Sequence, residues 1–370
     1  MKDRVTVFLC GDVMTGRGID QVLRFPGDPR LYEPSMNSAT AYVELAERAS
    51  GPIPRPVEFG YIWGDALEEF QREATQAKVI NLETTITRSG TPWDGKEVHY
   101  KMSPDNISCL VAAGIDCCTL ANNHMVDWGI TGLLDTLEAL DRAGIKHTGA
   151  GRNLREAQAP AILKIGEDCR VIVFGLGSLS SGIPAEWSAR EDRPGLNVLE
   201  SPLKDTIRSL AKAIGNIKQQ GDIVIVSIHW GGNWGYKVPS SQKMLVHRLV
   251  EETGLDILHG HSSHHVKAIE VYKNRLIFYG CGDFLNDYEG IAGYESFRGD
   301  LGLMYFADLN PRDGRLLDLR MIPTQMRRFR VNRASEIDSR WLEELLDREG
   351  KRFGTRVTRS AKNILTLQWS

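Results

Sequence analysis

The chain has 370 residues, of which 25% are charged and 42% hydrophobic, and its formal net charge is −3. This balance excludes a nucleic-acid-binding polycation, and the length suffices for one large core or two modest ones. No stretch approaches the roughly 20 apolar residues of a membrane span, and the apolar run after residues 1–4 is too short for a signal peptide. The six cysteines form no zinc-type pattern, so we expect reduced thiols and a cytoplasmic location.

The predicted elements alternate between strands and helices for most of the chain, which is typical of a layered α/β protein. The first strand, at residues 5–10, is a continuous apolar run of the kind that is buried on both faces of a sheet. Further strands are predicted at residues 77–80, 117–121, 161–165, 170–176, 223–228 and 257–258, and helices at residues 64–75, 105–113, 127–143, 203–217 and 242–252.

Residues 21–61 interrupt this alternation, because prolines recur there among polar residues (Pro26, Pro29, Pro34, Pro52, Pro54 and Pro56). We interpret them as a long surface loop, a variable insertion in the domain. Long loops in compact domains are often lids or substrate-binding segments. We expect this loop and the loop that carries Trp230 and Trp234 to close over an extended ligand.

The last third of the chain is β-rich, with strands predicted at residues 267–272, 275–279, 303–309 and 316–322, so a strictly parallel sheet is not expected. From Arg327 the sequence is arginine-rich, which suits a solvated edge strand better than an anion site. A helix follows, and Ser335 with Asp338 resembles a capping box. We interpret residues 1–326 as one domain and residues 327–370 as a strand and helix tail packed on it.

Six short stretches place Asp, Glu, Asn or His directly after an apolar strand run. In open α/β sheets, ligands bind outside the carboxyl ends of the strands. We therefore expect these oxygen and nitrogen donors to meet at one rim and to form a metal site. The stretches are Gly11-Asp12, Asn81-Leu82-Glu83, Asn122-Asn123-His124, His229-Trp230-Gly231, Gly260-His261-Ser262-Ser263-His264 and Gly282-Asp283.

The six stretches differ in how specific they are. Asp12 and Glu83, taken singly, are equally well read as residues that cap the next element. Two amides and an imidazole in a row at residues 122–124 are poor choices for a core, and imidazoles suit Zn, Mn, Fe or Co. Four histidines lie within seven residues, namely His259, His261, His264 and His265. The alternative to a metal site here is a solvent-exposed, histidine-rich loop. Asp283 is better read as a residue that orients a ligating histidine.

With these residues in view, the chain resembles the CapA/PgsA family of bacterial poly-γ-glutamate (capsule) synthesis proteins, a branch of the calcineurin-like metallophosphoesterases. The resemblance runs from Val5 to about Leu345. It is carried by Gly11-Asp12-Val13-Met14, Asn81-Leu82-Glu83-Thr84, Ala121-Asn122-Asn123-His124 with Asp127 and Gly129, Gly149-Ala150-Gly151, His229-Trp230-Gly231, and Gly260-His261 with His264. The fold that it implies is a mixed β-sandwich flanked by helices, with four αββα layers.

The resemblance also implies roles for single residues. One or two divalent ions (Mn²⁺, Zn²⁺ or Fe²⁺) are expected on six ligands, namely Asp12, Glu83, Asn123, His229, His261 and His264. His124 matches the imidazole that assists the reaction, and Asp127 matches the carboxylate that orients it. Two departures are plain, since Met14 stands where metallophosphoesterases usually have a histidine, and Glu83 replaces their bridging aspartate.

Three functions remain open at this stage. The first is metal-dependent hydrolysis or transfer on a glutamyl-type peptide or phosphorylated substrate, with His124 as general acid and base. The second is epimerisation at a Cα, in which Asp12 or His124 with His264 or His265 moves the proton. The third is a non-catalytic, polymer-binding scaffold. The expected partner is a peptide or glutamyl substrate, with no nucleic acid, and the sequence leaves the oligomeric state open.

Overall fold

The computed structural model describes residues 4–199 and 203–369; part of the start examined for a signal peptide, residues 1–3, lies outside them. The strands are β1 (Val5–Val13), β2 (Arg30–Glu33), β3 (Met36–Ser38), β4 (Ala77–Leu82), β5 (Thr85–Ile86), β6 (Lys101–Met102), β7 (Cys117–Thr119), β8 (Lys146–Thr148), β9 (Ala150–Gly151), β10 (Ala161–Lys164), β11 (Arg170–Gly177), β12 (Gly195–Leu196), β13 (Ile223–His229), β14 (Ile257–His261), β15 (Ile269–Tyr272), β16 (Arg275–Phe278), β17 (Asp283–Leu285), β18 (Leu301–Leu309), β19 (Leu316–Arg327), β20 (Arg330–Arg333), β21 (Thr355–Arg359) and β22 (Leu365–Trp369). The helices are α1 (Gly18–Val22), α2 (Ala39–Ser50), α3 (Ala66–Arg72), α4 (Ser108–Ala112), α5 (Gly129–Ala143), α6 (Leu154–Gln158), α7 (Leu203–Ile217), α8 (Ser240–Thr253) and α9 (Glu336–Gly350).

The larger sheet is mixed, as the β-rich ending predicts. Its strand order is β21-β22-β19-β18-β1-β4-β7-β8, with β17 paired to β1 and β20 to β19. Strands β1, β4, β7 and β8 run parallel, whereas β18, β19 and β22 join by antiparallel pairing. The carboxyl ends of β1, β4 and β7 consequently share one rim.

The smaller sheet has the order β10-β11-β13-β14-β16-β15. Its four central strands are parallel, and β10 and β15 close the two edges in antiparallel pairing. The run 223–229 is buried at every residue, which is why it reads in the sequence as continuous rather than alternating apolar. Strands β13 and β14 both end in a histidine, at the same level of the sheet.

The two sheets and the helices outside them form four layers, because alternate side chains of a strand point to opposite faces of its sheet. Val7 and Leu9 of β1 belong to the core between the two sheets, whereas Phe8 and Cys10 lie under helices α2 to α5. The outer face of the smaller sheet packs against α7 and α8 in a third apolar cluster. The expected four-layer αββα sandwich is thereby confirmed.

The proline-rich segment is the main correction to the predicted elements. Residues 21–61 are not one surface loop, because they contain the hairpin β2–β3 and the twelve-residue helix α2. Tyr42, Val43 and Ala46 of this helix are buried in the core. The six prolines all lie outside α2, where they do not break its hydrogen bonds.

The end of the chain adds strands that the sequence pattern did not reveal. Ser335 caps α9 by accepting a hydrogen bond from the Asp338 backbone N–H, as predicted. Strands β21 and β22 then pair with each other and extend the larger sheet through β19. Among the described residues, none of the helices has the length and apolar character needed to cross a membrane.

Candidate metal and catalytic site

The predicted strand ends meet where the rims of the two sheets face each other. Asp12 lies level with Asn81 of β4 and with Asp283 of β17 in the larger sheet. Across the gap, His229 of β13 lies level with His261 of β14. The two sheets are joined here directly, because the backbone N–H of Ser262 donates to Asp12 Oδ2 at 3.1 Å.

Asp12, His229 and His261 form the closest cluster of ligand-type atoms. One donor atom from each of the three lies within 4.8 Å of the others, and all three residues are buried. His261 Nδ1 is 3.6 Å from Asp12 Oδ1, and the Nδ1 atoms of His229 and His261 are 2.8 Å apart. The Asn81 side-chain amide donates to Asp12 Oδ1 at 2.7 Å and fixes the carboxylate.

Glu83 and Asn123 lie on the other side of His229. Glu83 Oε1 is 3.9 Å from His229 Nε2, and Asn123 Oδ1 is 2.9 Å from the same nitrogen. Five of the six residues predicted as metal ligands thus converge, and the sixth, His264, lines the wall of a cavity. The interpretation of Glu83 as a simple helix cap is not supported, since no helix begins at this residue.

The protonation pattern around His261 follows from its neighbours. His259 Nε2 is 2.7 Å from the Cys10 carbonyl, which only accepts, so the ring proton is on Nε2. The Ser227 hydroxyl has one proton, which it can donate to Thr119 Oγ1 at 3.2 Å or to His259 Nδ1 at 3.1 Å, so it accepts from His261 Nε2 at 2.8 Å. His261 Nδ1 therefore faces the cluster as a lone pair.

These donors fit a divalent cation. With Asn123 Oδ1 as acceptor, His229 carries its proton on Nε2, and its Nδ1 faces the bare His261 Nδ1. A divalent cation would satisfy both lone pairs. Burial lowers the pKa of both histidines well below the ordinary value, so a second ring proton is disfavoured there. Glu83 Oε2 is also buried without a hydrogen-bond partner among the described residues.

Among the described residues, the buried carboxyl groups of Asp12 and Glu83 also lack a neighbouring cation that would balance their charge. Burial and the charge of Asp283 raise the pKa of Asp12 to about 7. Burial and the charge of Asp12 raise the pKa of Glu83 well above its usual value. Carboxyls that are held near one another without a cation retain a proton, and a bound metal ion would replace it.

His124 points into this cluster from a separate hydrogen-bonded pair. Its Nδ1 is 2.6 Å from Asp127 Oδ2, and its Nε2 is 3.7 Å from Glu83 Oε1. Asp127 also accepts from Lys96 and from the Tyr100 backbone N–H. Burial raises the pKa of Asp127, but Lys96 and His124 outweigh it and leave this pKa lowered. Asp127 is therefore ionised and holds the His124 proton on Nδ1.

The resulting imidazole is neutral, because burial and the charge of Lys96 lower the pKa of His124 to about 3. Its Nε2 therefore faces Glu83, one of the residues predicted as metal ligands, as a lone pair. Lys96 also donates to the Asn123 backbone carbonyl, which ties the base to the neighbouring ligand.

His264 is oriented by Asp283, whose Oδ1 lies 3.0 Å from His264 Nδ1. Burial lowers the pKa of His264, but the charge of Asp283 outweighs this and leaves the pKa raised. Asp283 thus has the orienting position inferred for it from the sequence. Its other oxygen accepts from the Asn286 amide at 3.0 Å.

Two residues considered from the sequence have other positions. His265 accepts from the Gly235 backbone N–H at Nε2, and its Nδ1 faces the Val266 carbonyl, so both nitrogens are engaged away from the ligand cluster. Trp230 is buried and donates to the Tyr279 carbonyl, so it supports the core rather than a lid. Trp234, by contrast, lines the cavity.

A cavity of about 700 Å³ opens beside His264. The proline-rich segment contributes Tyr42, Ala49 and Ser50 to its wall, so this segment borders the cavity although it is not one loop. Aromatic residues dominate one side (Tyr42, Tyr100, Trp234, Tyr288 and Tyr294), and Trp234 stacks on Tyr294 with ring centroids 4.1 Å apart. A cavity of this size is typical of small-molecule sites.

Several site residues escaped the sequence patterns. Lys96 lies in an irregular polar stretch, where a lysine carries no signal. Tyr100 and Tyr288 are equally inconspicuous among the ten tyrosines of the chain. Asn81 did carry a signal, because an amide within the buried run that ends β4 needs a polar partner, and its partner is Asp12.

The chain is thus a four-layer αββα sandwich with carboxylate, amide and imidazole donors on its rim. Residues 6–288 match the family model described as bacterial capsule synthesis protein PGA_cap. The chain therefore belongs to the PGA_cap family, the CapA-type group that it resembles.

Its relatives span the whole chain or most of it. A protein of Mycobacterium tuberculosis, described as a probable polyglutamine synthesis accessory protein, is 47% identical over 366 residues, which cover 99% of this chain and 96% of the relative. Capsule biosynthesis protein CapA of Bacillus anthracis is 25% identical over 77% of this chain and 60% of its own length. A solved structure of a Mycoplasma pneumoniae phosphatase aligns with a TM-score of 0.46 at 10% identity, covering 87% of this chain and 94% of that one.

Proposed function

We propose that this protein is a metal-dependent hydrolase or transferase that acts on a glutamyl-type peptide or a phosphorylated substrate. The observation that carries this proposal is the position of the His124–Asp127 pair. It directs an unprotonated ring nitrogen at a buried cluster of carboxylate and imidazole donors, beside a cavity large enough for a substrate.

Asp12, Glu83, Asn123, His229, His261 and His264 would hold one or two divalent ions. Bound there, such an ion would lower the pKa of a water molecule and polarise a phosphoryl or carbonyl oxygen. The donor set of imidazole nitrogens and carboxylate oxygens suits Mn²⁺, Fe²⁺ or Zn²⁺. Asn81 and Ser262 keep Asp12 in place, and Ser227 sets the lone pair of His261 toward the cluster.

The chain itself supplies the proton transfers. His124 takes a proton at Nε2 from the attacking nucleophile, and the ionised Asp127 stabilises the imidazolium that forms. The same imidazolium then returns the proton to the leaving group. Lys96 and the Tyr100 backbone N–H hold Asp127 so that this pair keeps its geometry during the reaction.

The biological setting that we propose is the synthesis of a capsule-type or poly-γ-glutamate polymer. The support comes from the family description and from the names of the relatives, which refer to capsule or polyglutamine synthesis. The six cysteines are free and buried, which is compatible with the reducing cytoplasm that we propose as its location.

The test is an assay of the Mn²⁺-loaded protein on bis(p-nitrophenyl) phosphate and on oligo-γ-glutamate, in D₂O, with products followed by absorbance and mass spectrometry. We expect cleavage of at least one probe, and a loss of about 10²- to 10⁴-fold in the His124→Ala variant. His247→Ala is the matched control, because His247 is an imidazole bound to a carboxylate, Glu270, and it lies on helix α8, outside the donor set.

Other outcomes would contradict the proposal in distinct ways. Deuterium that enters a Cα position without bond cleavage would replace hydrolysis by epimerisation. A protein that holds metal and binds oligo-γ-glutamate, but produces neither signal, would be a polymer-binding scaffold. Cleavage that His124→Ala leaves unchanged would remove His124 from the mechanism.

A further inference from the structure

Two tyrosines from distant parts of the chain meet at the boundary between the ligand cluster and the cavity. The hydroxyl oxygens of Tyr100 and Tyr288 are 2.6 Å apart, and both residues line the cavity. Tyr100 lies 4.0 Å from the His124 ring between centroids, and Tyr288 lies 5.4 Å from the His264 ring. The hydroxyl pair is thus flanked by the two imidazoles that border the ligand space.

Each tyrosine is anchored to the carboxylate that orients one of these imidazoles. The Tyr100 backbone N–H donates to Asp127 Oδ2 at 2.7 Å, and its carbonyl accepts from the Trp128 indole at 3.1 Å. The Tyr100 backbone is therefore held by the same carboxylate, Asp127, that orients His124.

The Tyr288 side is built in the same way. Its backbone N–H donates to Asn286 Oδ1 at 3.1 Å, and the Asn286 amide donates to Asp283, which orients His264. Below both rings lies the buried Arg17, whose guanidinium carbon is 4.4 Å from the Tyr100 centroid and 5.8 Å from that of Tyr288. The two hydroxyls are consequently held in place by backbone and ring contacts rather than by each other alone.

The two hydroxyl groups of this pair have one more proton to donate than the bond between them uses. A phenol is protonated at neutral pH, so the two hydroxyls carry two protons. One proton lies in the bond between the oxygens, and the other has no acceptor among the described residues. Since both side chains border the cavity, the remaining O–H is available to a ligand there.

We propose that the Tyr100–Tyr288 pair donates this hydrogen bond to the substrate oxygen that gains negative charge during the reaction. The inference rests on the proposed function and adds a positioned donor that the metal-ligand pattern does not include. The chemical class that it selects is a substrate whose reacting centre carries such an oxygen, a phosphoryl group or an acyl carbonyl. Preorganised donors of this kind act mainly on the transition state.

The test compares Tyr100→Phe, Tyr288→Phe and the double variant, all loaded with Mn²⁺, on bis(p-nitrophenyl) phosphate. We expect the single variant that lacks the substrate-facing hydroxyl to lose about 100-fold in kcat with little change in KM. The other single variant should lose less, because the remaining phenol keeps its proton and loses only its partner. The double variant should lose no more than the worse single variant, because the pair delivers one bond. Tyr305→Phe is the control for removing a buried hydroxyl elsewhere, since the Cys281 carbonyl is the one acceptor that its hydroxyl has among the described residues. This variant should retain full activity.

A second measurement separates this inference from the proposed function. Orthovanadate is titrated calorimetrically into each Mn²⁺-loaded protein, and the double variant and the worse single variant should bind it at least about tenfold more weakly than wild type. Unchanged melting temperature and metal content would exclude a purely structural effect. If wild type cleaves nothing, the proposed function fails while the titration still decides this inference. Equal vanadate affinity in all variants, or equal kcat where turnover exists, would overturn it.

Discussion

Replacing Arg17 by methionine should destabilise the protein severely, although the residue lies outside the ligand cluster. Its side chain is 3% exposed, and its guanidinium binds Glu33 and Asp287, which are 3% and 2% exposed. It also contacts the Tyr42 hydroxyl at 3.1 Å. Arg17→Met removes the only cation in this group of described residues and leaves two buried carboxylates facing each other.

Breaking a buried ion pair from one side costs about 3–5 kcal/mol. At about 2–4 °C per kcal/mol, the melting temperature should fall by roughly 6–20 °C. The assay is urea denaturation followed by circular dichroism, supported by calorimetry. Arg24→Met is the control, because the Arg24–Glu58 pair is 53% and 81% exposed and such pairs contribute at most about 1 kcal/mol. Equal effects of the two substitutions would refute the reasoning.

Two further predictions concern the rim itself. In metal-free protein, stability should fall from near pH 7 to about pH 5.5 in urea denaturation with a chelator. Burial lowers the pKa of five histidines, so below the ordinary value of 6.5 the unfolded chain takes up protons that the folded protein does not. Each histidine then lowers the free energy of unfolding by up to about 1.4 kcal/mol per pH unit. Asp12, Glu83 and His264 have raised pKa values, so their stabilising contribution is lost as pH rises and opposes this trend, but they are fewer. A protein that is more stable at about pH 5.5 would contradict the prediction. The histidines are His124, His229, His259, His261 and His265. Separately, Asn81→Ala should weaken Mn²⁺ binding about 10- to 100-fold by calorimetry, because the amide fixes Asp12; unchanged affinity would mean that Asp12 needs no such support.

The sequence was informative wherever a local rule determines the structure. Apolar runs followed by polar residues locate strand ends, and parallel strands bring those ends to one rim. That rule is sufficient to bring Asp12, Glu83, Asn123, His229 and His261 together. The position of each ligand follows from the strand that carries it, so no knowledge of side-chain packing is needed.

The rest depends on contacts between distant residues, which periodicity does not encode. Arg17 meets Asp287 across 270 positions, and Tyr100 meets Tyr288 across 188. Helix α2 was missed because the prolines around it dominate the composition of the segment. Lys96 lies in a polar stretch where lysine is ordinary, and only the fold places its ammonium beside Asp127.

The most direct test of the central claim is the metal content of the protein. We predict that protein purified without chelator and equilibrated with Mn²⁺ retains one or two ions per chain in elemental analysis. His229→Ala and His261→Ala should lose this metal, whereas His147→Ala, a substitution on β8 outside the cluster, should retain it. Metal-free wild-type protein, or metal that both rim variants retain in full, would contradict a metal centre at this rim.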